Sequence, residues 1–430
     1  MISKAGTGKK ALAGVGLLGA GAIVLAGCAG GGTPSGESAA PAAESGELTV
    51  WVVGTDTPDT AREYLVDTFE SENEGWTLKL EEKTWADVSE TYVAALQSND
   101  TPDVVEVGNT QAIGFIDQGL FSDLSDIRGD LGDLNPGLEE AGTYDDTFYA
   151  APYYAGGRVV FYSPEIVDPA TLPKTLEEYV AQGVEYRTDA MSGIYAPGRD
   201  WYNMLPYVWA YGGEIAVQDG ESWDAQFSSP ESLQGLELLQ KVYTEATNAP
   251  ADGLETDAHV PFCAGETAFL SAPAWMQWSI LAEPDAENPG CPDTYGKDLG
   301  AFPLPGLSEG ETAPIFAGGS NIGVAALSPN QEMAKEVVKI MLSKGYQDLM
   351  AEGGLTPALL ESAESLPDTP VAQAQAEALA NSKGVPTSPD WAEVESSLII
   401  QDSLVRIAQG EDVKAVAEKL DAEIESILNG

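Results

Sequence analysis

Three cysteines, one histidine and 69 carboxylates are the groups with which this chain of 430 residues could do chemistry. Cys263 lies close in sequence to His259, the only imidazole in the chain. Proximity along the chain is not, however, the geometry by which an imidazole draws a proton from a thiol. Cys263 and Cys291 read instead as a disulfide, the usual fate of an isolated pair in an oxidising exterior. No GxSxG, HExxH, P-loop or CxxC pattern occurs, and DLSDIRGDLGD (123–133) lacks the residue order of an EF-hand calcium loop. The residues therefore point to no catalytic group, no metal and no cofactor. Paired glycosidase carboxylates meet in space and not in sequence, so a surface-anchored glycan hydrolase stays open as an alternative.

The more informative side chains are aromatic. Nine tryptophans and sixteen tyrosines include several beside glycine, proline or asparagine: DWYN (200–203), APAWMQW (272–278), APYYAGG (151–157) and SPDW (388–391). An aromatic on a helical face is usually core, whereas a flat ring in a loop is placed to stack on the apolar face of a ligand. Pyranose rings have such faces, and their hydroxyls need amide and carboxylate partners. Arg158, inside the apolar run RVVFY, is costly to bury unless paired, which makes it a ligand clamp or half of a salt bridge.

Cys28 has a different context. Lys4, Lys9 and Lys10 precede an uncharged glycine-rich stretch (11–27) that ends Leu25-Ala26-Gly27-Cys28. Its length and flanks fit a secretory signal better than a membrane span, and the final four residues match the lipobox of bacterial lipoproteins. Residues 1–27 are thus expected to be removed and Cys28 to be acylated, anchoring the protein on the outer face of the cell membrane. Residues 28–46, without large apolar side chains, form a tether that cannot offset its own ordering entropy. The net charge of −49 excludes nucleic acid as a partner and suits a solvated, exported surface.

These groups must be held by an α/β scaffold. ELTVWVV (47–53), WTLKLEE (76–82) and DVVEV (103–107) read as strands, separated by a helix carrying Ala61, Leu65 and Phe69 on one face and by another from Trp85 to Leu96. That order implies a parallel sheet with right-handed crossovers. Thr60 with Glu63, and Ser328 with Gln331 behind Pro329, read as capping boxes. A last helix is expected from Val413 to Leu428. The length suits two lobes better than one core.

LTVWVVGTD (48–56), TPDVVEVGNTQAIGFIDQGLFSDLS (101–125), YAAPYYAGGRVVFY (149–162), AGETAFLSAPAWMQW (264–278), AFPLPG (301–306) and IFAGGSNIGVAALSPNQEMAKEVVKIML (315–342) together resemble the carbohydrate-binding lipoproteins of ABC importers, the large class that includes maltose-binding proteins. The GNTQ form at 108–111 is most similar to binders of short oligosaccharides such as chitobiose. The resemblance implies a two-lobed periplasmic-binding-protein fold (type II) with about three hinge crossings, near 154–158, 306–314 and 352–357. Lobe one would be 47–156 with 307–353, and lobe two 157–306 with 354–430. It further implies a carbohydrate ligand in the cleft, importer permease subunits as partners, and a monomer. The implied contacts are Thr55 and Asp56 after the first strand, Asn109 and Gln111 after the third, Tyr154 and Arg158 at the first crossing, and Asp200, Trp201 and Tyr202 from lobe two. Trp275, Trp278, Ser320, Asn321 and Trp391 complete the set. A third possibility keeps this fold but binds a cationic peptide or polyamine.

Overall fold

The computed structural model describes residues 45–430 except 55, 221, 287, 288, 297 and 298; the leader, Cys28 and nearly all of the tether lie outside the described residues. Five elements open the chain: β1 (Gly46–Val53), α1 (Asp59–Glu72), β2 (Trp76–Lys83), α2 (Trp85–Leu96) and β3 (Val104–Gly108). β1 pairs in parallel with both β2 and β3, the arrangement that helical crossovers impose. Along β1 the side chains alternate between two cores. Leu48, Val50 and Val52 pack against Leu65 and Phe69 of α1, whereas Val53 joins Val88 and Tyr92 of α2 on the other face.

The first sheet is completed from distant parts of the chain. β4 (Ala150–Gly156), β5 (Arg158–Tyr162), β6 (Ser192–Tyr195), β7 (Thr267–Pro273), β8 (Gly300–Phe302), β9 (Ile315–Phe316), β10 (Gly318–Val324) and β11 (Thr356–Pro357) follow in order. β10 lies antiparallel between β3 and β4, and β11 edges β4, so that the first sheet runs β11-β4-β10-β3-β1-β2. The second sheet runs β8-β5-β7-β6 and has its own cores, Val160 and Phe269 facing one and Val159, Phe161 and Leu270 the other.

The chain changes sheet at Gly157, between β4 and β5. It returns to the first sheet at Ala317, between β9 and β10. The segment after Pro305 turns back on itself: the Gly306 amide donates to the Glu311 carbonyl (2.7 Å) and the Ala313 amide to that of Leu304 (2.8 Å). Ala313 and Phe316 therefore stay in the second core. The chain stays with the first sheet's core as far as Leu359. Leu355, Ala358 and Leu359 pack in the first core, and Val371 and Ala374 are the next buried residues of the second.

Both expected capping boxes are absent. α1 starts at Asp59 behind Pro58, with Thr60 already inside the helix and no side-chain cap. The later helix begins at Gln331 behind Asn330, because Ser328 donates instead to Asp103 Oδ1 (2.6 Å). The box that does form, Thr84 with Asp87, caps α2. Cys263 and Cys291 are joined as a disulfide.

Candidate functional site

A cavity of about 580 Å³ lies between the two sheets. Its first wall is built by the carboxyl ends of three parallel strands. β1 leads into Gly54 and Asp56, β2 into Trp85, and β3 into Asn109, Thr110 and Gln111; this is where open α/β sheets hold ligands. Tyr154 of β4 and Ser320 of β10 floor it. Gly319 allows the floor to close, since its φ of +149° suits glycine and a Cβ there would sit 2.3 Å from the Tyr154 carbonyl oxygen. From the second half come Arg158, Tyr202, Glu255, Trp275, Phe316 and Glu395.

Three polar arrangements set the electrostatics. Tyr154 donates towards both Asp56 Oδ2 (3.1 Å) and Glu106 Oε1 (3.2 Å), while Glu106 Oε2 accepts the Val53 amide (2.8 Å). Burial pushes the Glu106 carboxyl up to about 7 and raises that of Asp56. The Ser320 hydroxyl lies beside Glu106 and Tyr154 without a hydrogen bond of good geometry. On the opposite wall Arg158 grips Glu255 with two nitrogens (2.8 and 3.2 Å) and has Asp200 Oδ1 at 3.9 Å, its guanidinium 5.1 Å from the centre of the Tyr202 ring. Burial and the charge of Glu255 push the Asp200 carboxyl up. The third arrangement joins the two halves: Thr110 donates to Glu395 Oε2 at 3.1 Å. Burial pushes Glu395 up to about 7 as well. Among the described residues, no group of three or more His, Cys, Asp or Glu side chains is arranged to hold a metal ion.

The cavity is two-walled and lined by aromatics and hydrogen-bonding groups, as ligand-binding clefts are. Residues 64–380 match the family described as bacterial extracellular solute-binding protein. The chain belongs to that family. The diacetylchitobiose binding protein DasA of Streptomyces coelicolor is 31% identical, over 98% of this chain and 99% of its own length. Among solved structures, the GacH receptor of Streptomyces glaucescens, studied unliganded and with acarbose, superposes with a TM-score of 0.74 at 20% identity, covering 90% of this chain and 99% of that one. The sugar-binding protein MalE of Xanthomonas citri gives 0.75 at 19% identity, covering 89% and 98%. This solute-binding protein thus has their two-lobed α/β fold.

Within the solute-binding protein, the cavity brings together Asp56, Asn109, Gln111, Tyr154, Arg158, Tyr202, Trp275 and Ser320. Other expected contacts lie elsewhere. Trp201 and Trp391 are buried in the second core with ring centroids 6.2 Å apart. Asp200 is buried behind Arg158 and held by the Asn203 side chain. Asn321, on the same strand as Ser320 but pointing to the other face, donates to the Ala150 carbonyl (3.3 Å). Trp278 packs against the first core. Thr55 lies outside the described residues. Trp85, Glu255, Phe316 and Glu395 were not anticipated. For Trp85 a signal existed, since it directly follows the second parallel strand; Glu255 and Glu395 sit in loop and short-helix contexts with no pattern to mark them.

Proposed function

We propose that the protein captures a short oligosaccharide between its two lobes and presents it to an ABC importer. One observation carries the reading: Trp85 from the first lobe and Trp275 and Tyr202 from the second face one cavity that also presents amides (Asn109, Gln111, Gln375), carboxyls (Asp56, Glu255, Glu395) and hydroxyls (Thr110, Ser320). Aromatic faces cover the apolar side of a pyranose and the polar groups meet its hydroxyls. DasA, related over its full length, makes diacetylchitobiose the first candidate. The lobes are taken as 46–156 with 318–359, and 157–316 with 370–430, hinged at Gly157, Ala317 and the segment after Leu359. Contacts from both lobes are what let a ligand favour a closed form over an open one. The family is one of binding proteins and not enzymes, and the same is proposed here. Acylation at Cys28 holds the monomer at the cell surface; in a Cys28→Ala variant the protein is expected in the soluble fraction, and retention in the membrane fraction would remove the anchor.

The test is thermal unfolding of the detergent-solubilised full chain with diacetylchitobiose, maltose, cellobiose, xylobiose and trehalose. A ligand at a hundred times its dissociation constant adds about 2.7 kcal/mol. One sugar raising the Tm establishes the reading; none doing so, while a polyamine or peptide does, replaces it. The acidic lining is the observation in favour of that cationic alternative. It is weakened because Glu255 is already paired with Arg158 and burial favours the neutral forms of Asp56 and Glu395.

A further inference from the structure

Two carboxyl groups attend one guanidinium on the second wall of the cavity, and one of them exceeds what neutralisation needs. Asp200 Oδ1 lies 3.9 Å from Arg158 Nη1, and with a side chain only 4% exposed it already offers the buried cation a counter-charge. Glu255 adds a second carboxyl on the cavity side, 23% exposed, and takes both terminal nitrogens of the fork (2.8 and 3.2 Å). That is the geometry in which an arginine holds the carboxylate of a ligand. Resting on the carbohydrate reading, we infer that Glu255 is a specificity-determining residue: it fills the Arg158 fork with the protein's own carboxylate and so shuts uronic acids and other anionic saccharides out of a cavity kept for neutral ones.

The segment that delivers Glu255, residues 247–258, carries no helix or strand, yet it is docked. The Gly198 amide donates to the Pro250 carbonyl (3.2 Å) and the Arg199 amide to that of Gly253 (3.0 Å). Gly198 permits the approach, since a Cβ there would sit 1.9 Å from the Ala251 carbonyl oxygen. Arg158 is fixed from its own side, with its guanidinium 5.1 Å from the centre of the Tyr202 ring. Such stacking uses the face of the guanidinium and leaves its edge, where the N–H donors point, to a carboxylate. Among the described residues that line the cavity Arg158 is the sole cation, set against the carboxyls of Asp56, Glu255 and Glu395. An entering carboxylate therefore finds the fork taken and like charges around it, a repulsive element of the kind that separates one ligand class from another.

The test is calorimetric titration of the full chain with diacetylchitobiose, maltose and cellobiose, each beside the analogue whose terminal hydroxymethyl group is a carboxylate. Wild-type protein is expected to bind the neutral member of one pair at least a hundredfold more tightly than its acid. In Glu255→Gln and Glu255→Ala that ratio is expected to fall at least tenfold, through tighter binding of the acid to the opened fork. Asp200, which burial and the charge of Glu255 push up, is expected to ionise in these variants and keep Arg158 compensated, so both are expected to fold. A residue that merely held the wall in shape would weaken both members together and leave the ratio where it was. A wild-type ratio near or below one, a ratio unmoved in both variants, or failure of both variants to fold overturns the inference and leaves the sugar receptor standing. Failure of every probe to bind overturns both.

Discussion

Glu106 is a carboxyl in the middle of a five-residue strand that is buried throughout, held by one backbone amide and one tyrosine. Its pKa near 7, and that of Glu395, exceed the unfolded value of about 4.3. Between these limits the native protein keeps protons that the unfolded chain releases, so stability falls as pH rises from about 4.5 to about 7. His259, pushed down by burial, acts in the opposite sense below its ordinary value. Asp56 and Asp200, also raised, act in the same direction as the two glutamates and against the single imidazole, so Tm is expected to be higher at pH 5.5 than at pH 8. In Glu106→Gln the amide oxygen can still accept from Val53 and the amide nitrogen can donate to Tyr154, so the variant is expected to flatten this slope. An unchanged pH profile would show that Glu106 does not titrate in this range. At the cavity, Trp275→Ala is expected to lower sugar affinity at least tenfold without a matching change in Tm, and calorimetry with the sugar identified in the thermal panel decides it. The strand DVVEV already showed a charge among apolar residues, and Arg158 was legible as either clamp or ion pair. What the sequence hid was which of two outcomes applies, because Glu255 and Asp200 reach Arg158 only through folding.

The elements were more legible than the residues. β1 and β2 begin and end within a residue of their patterns, and the helices Trp85–Leu96 and Val413–Leu428 have the expected bounds, because each carries a long periodic stripe. Caps were misread where one residue had two possible partners, as with Ser328 and Asp103. The disulfide encloses the helix Met276–Ile280 and the preceding Trp275, tying the loop that carries a cavity wall to the second lobe. In the chain-entropy account a closed loop of this size contributes about 3–4 kcal/mol. Replacing both cysteines by serine is expected to lower denaturant stability by roughly that amount; a loss below about 1 kcal/mol would mean that the loop is held by packing alone.

Over the whole molecule the charge of −49 sets a repulsive background. Salt screens it, with a Debye length near 10 Å at 0.1 M. Raising salt from 10 to 150 mM is therefore expected to raise the Tm while leaving the affinity for a neutral sugar nearly unchanged; a fall in affinity with salt would favour a cationic ligand. Lobe closure is expected as a smaller radius of gyration in small-angle scattering when sugar is added. The place of β10 between β3 and β4 also has a meaning in time. Neither neighbour has its central partner until the ribosome has delivered residue 324, and the long sequence separation makes that pairing slow. A nascent chain bound for the outside of the cell thus stays threadable for most of its synthesis, this late-made central strand acting as a delay that keeps a translocation pore from meeting a finished sheet.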